Sequence, residues 1–465
     1  MALSSSLAAL DQAKVNRFHL LVTFLSGMGV FLEGYDFTNI GAALVFLVPY
    51  YHLTPLATSW LAVSTYLGTI VGALAAGYLA DRFGRRHLYM WDIVAYAFFG
   101  FLSAVSFNAP MLFLARVGLG AGIGADQALS FTIIGEFSPR KARGRLNAST
   151  MILWGVGAFS SFLISYLLLP IAGQNTWRVV FFLSVVPALL VLIGRRALPE
   201  TPRWLLNQGL VSEAQMAMEH TLAGTTSSAP KQTRTVVAPT KGPRPRLADL
   251  FRDPTQRRRT LYVLAMWGLV TVSTYGLSFF APVVFKALGY TAHKALLGGV
   301  FVGFCATVGA ILMTLTIDHW GRKILATAGF AIMAIIIGII GAIGKGIAFP
   351  ILLTCFSLFQ LIAFWGPAAA VVVVAPEMFP TRLRSLGVGL GSAAGRVGAI
   401  IGILMLPNLL AAFGLSITMF AFCGVSAIAF ILMLVLGIES KGTSLEDFTE
   451  PSSTKQIPEG AIAPV

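Results

Sequence analysis

Twelve apolar stretches follow one another along this chain, separated by short polar connections. A helix of roughly 20 apolar residues crosses the hydrocarbon core of a bilayer, and each stretch reaches about that length. We place six in each half, at 20–48, 57–80, 88–107, 110–135, 148–171, 177–198, 260–286, 295–317, 323–344, 349–375, 386–411 and 414–437. With 56% hydrophobic and only 11% charged residues, the chain cannot be a soluble globule. The predicted fold class is an all-α membrane protein with twelve transmembrane helices.

A charged phrase occurs twice, at matching places in the two halves. Its first copy lies at 77–86 and its second at 318–323. Their aspartates, Asp81 and Asp318, are 237 residues apart, about half of the 465-residue chain. A half-length repeat in a membrane chain is typical of a transporter made of two helix bundles. We predict one six-helix bundle at 1–198 and a second, pseudo-symmetric one at 259–438. A cytoplasmic linker at 199–258 joins them, and a cytoplasmic tail follows at 439–465.

The net charge of +14 does not indicate nucleic-acid binding, because the basic residues gather in alternate connections between the spans. On one predicted side these residues are Arg82, Arg85, Arg86, Arg140, Lys141, Arg143, Arg145, Arg322, Lys323, Arg382 and Arg384. The positive-inside rule makes that side cytoplasmic, and an even number of spans brings both termini to it. We therefore expect a multi-pass protein of the cell (cytoplasmic) membrane.

Enzyme chemistry finds no support in the sequence. It contains no Gly-rich phosphate loop, no nucleophile elbow and no Cys/His metal spacing. ATP-driven transport lacks its phosphate loop as well, so a gradient must supply the energy. A transporter-like membrane receptor is the alternative from another class, but the linker and the tail are too small for a signalling domain. We expect a monomer whose partners are a small-molecule substrate, protons and the lipid bilayer, without cofactor, metal or nucleic acid.

Four motifs carry a resemblance to a known family. The repeated Asp-Arg-x-Gly-Arg-Arg phrase is joined by Pro-Glu-Thr-Pro-Arg-Trp-Leu at 199–205, by Pro-Glu-Met-Phe-Pro-Thr-Arg at 376–382 and by Glu-Ser-Lys-Gly-Thr-Ser-Leu-Glu at 439–446. Together they resemble the major facilitator superfamily, in its sugar porter and metabolite:proton symporter branch, over nearly the whole chain. The resemblance implies alternating access around a pocket at the membrane midplane.

Charged residues at the cytoplasmic ends of the spans predict a gate. Acidic and basic groups there can form charge-assisted bonds between helix ends in one conformation and lose them in the other. The gating candidates are Asp81, Arg85, Arg86, Glu136, Arg143, Asp318, Arg322, Glu377 and Arg382. The alternative is that these charges are solvated and serve only membrane topology. Repetition of the same order of acidic and basic residues in both halves favours the gate.

A few charges fall inside the predicted spans, where their cost makes each a functional hypothesis. Glu33 and Asp36 are three residues apart on one helix face, so at least one can hold a proton near neutral pH. Arg116 is their expected partner, and Asp92 is expected to compete for the same arginine. We predict that Asp36 and Asp126 couple transport to protons, with Glu33, Asp92 and Arg116 as modulators. A static buried ion pair is the alternative, but three acids for one base leave a carboxyl to titrate.

A closer resemblance concerns spans one, four and eleven. Glu-Gly-Tyr-Asp at 33–36, Arg116, Gly-Ile-Gly-Ala-Asp at 122–126 and Ser-Ala-Ala-Gly-Arg-Val-Gly at 392–398 are similar to the phosphate:proton symporters, with relatives among aromatic-acid and other metabolite symporters. Trp267 and Tyr275 also fit the pocket of those proteins. Four pocket positions depart from the pattern. Gln127 stands where the phosphate symporters have tyrosine, and Trp154 where they have glutamine. Thr271 stands where they have aspartate, and Ala368 where they have asparagine. The resemblance therefore implies their proton machinery with an organic solute in place of phosphate.

The predicted substrate site combines aromatic and polar side chains from both halves. Its residues are Arg396, Trp267, Tyr275, Gln127, Thr271 and Trp154. Arg396 can bind a carboxylate, and Trp267 and Tyr275, eight residues apart, lie on similar faces of one helix. Each aromatic side chain could instead pack against lipid or a neighbouring helix. We predict proton-coupled symport of a small carboxylate or sugar-like metabolite; the alternatives within transport are a phosphate:proton symporter and an uncoupled sugar facilitator.

Overall fold

Long helices account for almost all of the computed structural model, which describes residues 13–139, 142–222, 246–380 and 383–440. In the first half the helices are α1 (Arg17–Tyr50), α2 (Pro55–Phe83), α3 (Arg85–Ala104), α4 (Ala109–Phe137), α5 (Arg143–Ala172), α6 (Thr176–Leu183), α7 (Val185–Arg195), α8 (Pro202–Asn207) and α9 (Val211–Leu222). In the second half they are α10 (Asp249–Arg252), α11 (Pro254–Phe279), α12 (Ala281–Ala287), α13 (Ala292–Trp320), α14 (Arg322–Ile343), α15 (Phe349–Trp365), α16 (Pro367–Met378) and α17 (Arg384–Leu436).

Within the described residues, nine helical stretches are long and apolar enough to cross a membrane. Two of them, at Ser149–Arg195 and Leu386–Leu436, are 47 and 51 residues long and so hold two crossings each. The second contains a break at Gly414, whose φ of 75° is not helical. Helix α3 is not among the nine, because Asp92 and several Tyr and Trp residues lower its hydropathy. With the two long stretches counted twice and α3 added, the described part of the chain has twelve spans, as the sequence predicts.

Proline divides several spans that the sequence presents as continuous. The stretch predicted at 260–286 is split into α11 and α12, and Pro282 stands in the first turn of α12. The stretch predicted at 349–375 is split at Gly366, directly before Pro367. Proline has no backbone N–H and disfavours a helical conformation at the preceding residue, so a helix tends to end there. Each of these spans therefore consists of two helical segments.

The first membrane-spanning helix of the second half begins earlier than the sequence predicts. Helix α11 starts at Pro254, inside the segment 199–258 predicted as linker. The side chain of Asp253 accepts from the Gln256 N–H at 3.0 Å and caps the helix, and Pro254 suits a first turn. The basic residues at 257–259 therefore lie on a helical turn that extends beyond the predicted span.

A carboxylate caps the start of the same helix in each half. Gly84 and Gly321 separate α2 from α3 and α13 from α14, with φ values of 94° and 88° that favour glycine. The first N–H groups of α3 and α14 then donate to the carboxylates of Glu200 and Glu439, at 2.9 to 3.0 Å. Negative charge at a helix N-terminus is stabilising. The sequence repeat is thus also a repeat of structure.

Segments at both edges of the predicted linker pack on their own half. In the first half, the Asn16 side chain donates to the Thr221 carbonyl of α9 at 2.8 Å. In the second half, the Thr260 hydroxyl of α11 donates to the Leu250 carbonyl of α10 at 2.9 Å. Residues 223–245 and the tail from 441 lie outside the described part of the chain.

The two halves meet along two long seams. One joins α5 to α13, where Gly303 lies so near the Phe159 backbone that a Cβ atom added to it would be 2.8 Å from the Phe159 Cα. The other joins α2 to α17, where the Asn408 Nδ2 group donates to the Ser59 hydroxyl at 3.1 Å. Between the seams lie the charged and aromatic side chains described next.

Candidate proton and substrate sites

A buried ion pair joins the first and fourth helices. The Arg116 Nη1 atom of α4 donates to Oδ1 of Asp36 in α1 at 2.9 Å, and Nη2 donates to the Asp36 backbone carbonyl at 2.8 Å. Both side chains are 0% exposed. The Asn39 side chain, one turn further along α1, donates to the same Asp36 oxygen at 3.0 Å. The structure therefore brings together Asp36 and Arg116, the acid and base that the sequence predicts to interact.

A second buried arginine holds the other two acids. Arg195, at the end of α7, donates from Nη1 to Asp92 Oδ1 at 3.0 Å and to the Tyr89 carbonyl at 3.0 Å. Its Nη2 atom forms an ion pair with Asp126, and its guanidinium lies 3.5 Å from the Tyr89 ring centroid. The predicted competition of Asp92 for Arg116 is wrong, because Asp92 bonds to Arg195. We call Tyr89, Asp92, Asp126 and Arg195 the lower cluster.

Sequence reasoning missed Arg195, although a signal was present. It falls within the predicted sixth span but stands next to Arg196 near the span's end, where basic residues usually only mark topology. The two arginines differ completely in the structure, since Arg195 is 0% exposed and the Arg196 side chain faces outward. Two intramembrane acids without an assigned counter-ion could have pointed to it, because buried charges are almost always paired.

Hydroxyl groups continue the lower cluster toward α1. The Tyr89 hydroxyl lies 2.8 Å from the Ser26 hydroxyl and 3.2 Å from that of Ser130. The Ser130 hydroxyl donates to the Asp126 carboxylate at 3.4 Å. Gly29 of α1 faces this carboxylate, and a Cβ atom added there would overlap Asp126 Oδ2. The close approach of α1 therefore requires glycine at this position.

A glutamine links the two halves of the molecule. The Gln127 Nε2 group of α4 donates to the two Glu33 carboxylate oxygens at 3.2 and 3.1 Å. Its Oε1 atom accepts from Arg396 Nη2 of α17 at 2.6 Å. Glu33 and Arg396 are also near enough to interact electrostatically. Glu33 and Asp36 share α1 as predicted, but each has its own partner, Gln127 for the first and Arg116 for the second.

Six aromatic rings lie next to this polar link. They come from both halves and form one contiguous aromatic cluster: Phe37, Tyr66, Trp154, Tyr275, Phe279 and Phe364. Trp154 of the first half stacks on Phe364 of the second, with centroids 5.1 Å apart. Tyr275 also interacts electrostatically with Glu33 and Arg396. The structure thus places four of the predicted substrate residues together, namely Gln127, Trp154, Tyr275 and Arg396.

Two other predicted substrate residues face α17 instead. The Trp267 ring packs against Gly391 and Gly395 so closely that a Cβ atom on either glycine would touch it. The Thr271 hydroxyl donates to the Gly395 carbonyl at 2.7 Å. Eight residues on a helix turn by about 80°, so Trp267 and Tyr275 point in different directions. The expectation that they share one face is not met.

The environment of Thr271 gives a prediction about substrate affinity. Its one hydroxyl proton is directed at backbone carbonyls of α11 and α17. We expect Thr271→Val to change the KM for transport by less than about twofold and to lower the free energy of unfolding by about 1 kcal/mol. Uptake kinetics and thermal unfolding of the same preparation measure both quantities. A KM raised tenfold or more would show that the hydroxyl contacts the substrate.

The gating candidates form pairs within each half. Arg85 at the start of α3 forms an ion pair with Glu136 at the end of α4. In the second half, Arg322 and Glu377 form the equivalent pair at 3.2 Å. The Arg86 side chain donates to the Arg196 carbonyl at 3.0 Å. The side chains of Asp81, Arg143 and Asp318, and all of Arg382, lie outside the described part of the structure.

The donor set of the site does not suit a metal. Among the described residues, no group of three or more His, Cys, Asp or Glu side chains is arranged to hold a metal ion. Each of the four intramembrane acids instead bonds to an arginine or an amide: Asp36 to Arg116, Asp92 and Asp126 to Arg195, and Glu33 to Gln127. Intramembrane acids of this kind are candidate groups for a proton relay.

Known proteins resemble the chain over most of its length. A family model described as "Sugar (and other) transporter" matches residues 22–451. The putative metabolite transport protein YaaU of Escherichia coli is 30% identical, and the match covers 94% of this chain and 95% of that protein. The arabinose-proton symporter of Bacillus subtilis is 26% identical over 92% and 94% of the two chains. A partially occluded inward-open structure of the xylose transporter XylE from Escherichia coli matches with a TM-score of 0.74 at 20% identity, covering 92% of this chain and 100% of that one.

Proposed function

The chain belongs to the sugar and other transporter family of the major facilitator superfamily, and we propose that it is a secondary active transporter that couples a small organic metabolite to protons. Its fold is the twelve-helix, two-bundle fold of that superfamily. The proposal concerns the coupling to protons and the substrate, a carboxylate or sugar-like molecule. The similarity to an arabinose-proton symporter supports coupling to protons.

The buried pair of Asp36 and Arg116 is the observation that carries the proposal. Removing one charge from an ion pair with no solvent exposure leaves its partner without a counter-ion, which is costly. A proton on Asp36 removes the negative charge in this way, so it favours a conformation in which Arg116 moves away from α1 to another partner. Arg116 also holds the Asp36 backbone carbonyl, so its release changes how α1 lies against α4. Protonation is thereby coupled to helix position.

The same two helices carry the substrate link. Helix α1 holds Asp36 and Glu33, and α4 holds Arg116 and Gln127, so both polar contacts bridge one pair of helices. A change at the ion pair therefore alters the position of Gln127 relative to Arg396 in the other half. We assign proton coupling to Asp36 and Asp126, with Glu33, Asp92, Arg116 and the newly found Arg195 as residues that tune them.

The ion pairs at the helix ends fit the gate of an alternating-access cycle. The two pairs, Arg85 with Glu136 and Arg322 with Glu377, occupy equivalent places in the two halves. We propose that they stabilise the state that is closed on this side, and that this side is cytoplasmic together with both termini. The protein then works as a monomer in the cell membrane.

Uptake into proteoliposomes tests the proposal. The panel comprises labelled monocarboxylates, aromatic acids, sugars and phosphate, each with and without an inward proton gradient and with protein-free liposomes as the control. We expect one class of organic solute to accumulate up to about tenfold when the pH gradient is one unit, because one symported proton carries about 1.4 kcal/mol. Equal uptake with and without the gradient would indicate a facilitator, and uptake of phosphate alone would indicate a phosphate symporter. No uptake of any solute would favour a receptor.

A further inference from the structure

The aromatic cluster lies at the boundary along which the halves must separate. The ring centroid of Trp154 in the first half is 6.2 Å from that of Phe279 and 6.3 Å from that of Tyr275 in the second. The ring centroids of Tyr66, in the first half, and Tyr275 are 5.6 Å apart. A pocket can open here only if such contacts are lost, and stacked or edge-to-face ring pairs stabilise the closed arrangement beyond their burial. A bound molecule that offers another flat ring restores what opening removes.

These rings are shielded from solvent as well as adjacent. Trp154 is 4% exposed and Phe364 is 7% exposed, which are values of a protein interior. Beside them lies a small apolar cavity between the halves, lined in part by Ile40 and Ile403. The walls of the site are therefore suited to an apolar surface.

The polar end of the site offers one cation. Among the described residues, Arg396 is the basic side chain that bonds to the polar link beside the rings. It donates to the neutral amide oxygen of Gln127 at 2.6 Å. A carboxylate is a stronger acceptor than an amide for a guanidinium, because it adds a negative charge and can accept two parallel N–H bonds from arginine. A substrate carboxylate can thus displace Gln127 from Arg396 and open the link between the halves.

Charge balance favours a single negative charge. In this structure the positive Arg396 is offset by the nearby Glu33. A monoanion that enters with one proton, carried on Glu33 or on Asp36 of the same helix, leaves the total charge unchanged. A phosphate dianion entering with one proton would leave an uncompensated negative charge in a buried place, which is costly.

Few hydrogen-bonding groups beside the rings are free, which disfavours sugars with their many hydroxyl groups. Gln127 bonds to Glu33 and Arg396, and Gln360 accepts from Ser278, while the Tyr66 hydroxyl has no hydrogen-bond partner among the described residues. A sugar hydroxyl buried against the rings without a partner is costly. The site offers few hydrogen-bond partners for hydroxyl groups and many aromatic ring faces.

We infer that the substrate is a monocarboxylate carrying a single flat aromatic ring with few hydroxyl groups. Its carboxylate binds Arg396, and its ring lies among Trp154, Tyr275 and Phe364. This inference rests on the proposed function and names the substrate class of the same site. Binding by stacking would orient the ring, while Arg396 would fix the end that carries the charge.

Direct binding to the purified protein in detergent tests the inference, with benzoate as the probe. Binding is preferable to uptake here because neutral benzoic acid crosses bilayers unaided. Isothermal titration compares benzoate with benzamide, which lacks the charge, and with cyclohexanecarboxylate, which lacks the flat ring; xylose and phosphate complete the set. We expect benzoate to bind at least about tenfold more tightly than any of the others.

Two variants and one matched control locate the site. Arg396→Gln should weaken benzoate binding roughly 10- to 100-fold, and Trp154→Leu should weaken it about tenfold while leaving cyclohexanecarboxylate nearly unchanged. Trp91→Leu, which removes an exposed ring on α3 outside the cluster, should change neither. Thermal unfolding without ligand checks that each variant is folded, and Phe364→Leu replaces Trp154→Leu if the latter does not fold.

The outcomes separate this inference from the proposed function. Equal binding of benzoate and cyclohexanecarboxylate, or benzoate binding that survives Arg396→Gln, would overturn the inference. So would xylose or phosphate binding more tightly than benzoate, even if gradient-driven uptake of that solute upheld proton coupling. Conversely, selective benzoate binding without gradient-driven uptake of any panel member would support the inference and reject proton-coupled transport.

Discussion

Replacing Asp36 with asparagine is expected to lower gradient-driven uptake by about 100-fold, near the upper end of usual coupling free energies, while exchange of substrate across the membrane continues. Asparagine resembles the protonated carboxyl group, because it keeps an oxygen that can accept from Arg116 and Asn39 but carries no negative charge, so the helix pair should stay in the arrangement that a proton favours. It cannot take up a proton, so the gradient no longer biases the helix pair. Uptake with a proton gradient and counterflow without one, measured on the same proteoliposomes, distinguish the two activities.

A surface carboxylate supplies the control for this experiment. Glu213 lies on α9 and is exposed, so Glu213→Gln removes one acid without touching the membrane interior. Both activities of that variant should equal those of the unaltered protein. If Asp36→Asn kept its gradient-driven uptake, coupling would have to reside elsewhere, and the lower cluster around Arg195 would be the next candidate.

Replacing Arg195 with methionine is expected to lower the free energy of unfolding by about 3–5 kcal/mol, the usual cost of removing one partner from a buried ion pair. Asp92 and Asp126 would then face each other's charge in the interior with no counter-ion. The neighbouring Arg196 has an exposed side chain, so Arg196→Met should change stability by less than about 0.5 kcal/mol. Thermal unfolding followed by intrinsic fluorescence, in one detergent and at one pH, compares the two variants.

A charge-free version of the lower cluster separates folding from transport. Combining Arg195→Met with Asp92→Asn and Asp126→Asn removes all three charges, so much of the lost stability should return. Gradient-driven uptake should stay reduced if Asp126 takes part in proton coupling. Equal stability of Arg195→Met and Arg196→Met would contradict the role given to Arg195.

The number of spans could be predicted from the sequence because membrane crossing depends on apolar length, which is a local property. The breaks within spans were harder to predict. Pro282 and Pro367 were visible in the sequence, but whether a proline only bends a membrane helix or divides it depends on neighbouring helices that can satisfy the freed backbone groups. The early start of α11 is not evident from apolar length, because the charged residues at 257–259 end the apolar pattern, whereas the capping by Asp253 continues the helix outward.

The partnership of Asp36 with Arg116 could be predicted because few intramembrane charges compete for one another. The partners of Asp92 and Asp126 could not be found by counting, since Arg195 resembles an ordinary basic residue at a helix end. Side-chain direction was the other limit. The spacing of two residues on one helix gives the angle between their side chains. The packing of Trp267 against Gly391 and Gly395, however, depends on how α11 lies against α17. Gating by the charged helix ends and proton coupling by Asp36 and Asp126 stay predictions.

The carboxylate caps of α3 and α14 bear on how the protein is made. Glu200 caps a helix of the first half and Glu439 a helix of the second, so each cap comes from the half that it stabilises. The contacts of α9 and α10 are also confined to their own halves. The first bundle therefore has its terminal cap as soon as the ribosome has passed its sixth span. It can be complete in the bilayer before the second bundle is synthesised, and the two then assemble as finished units.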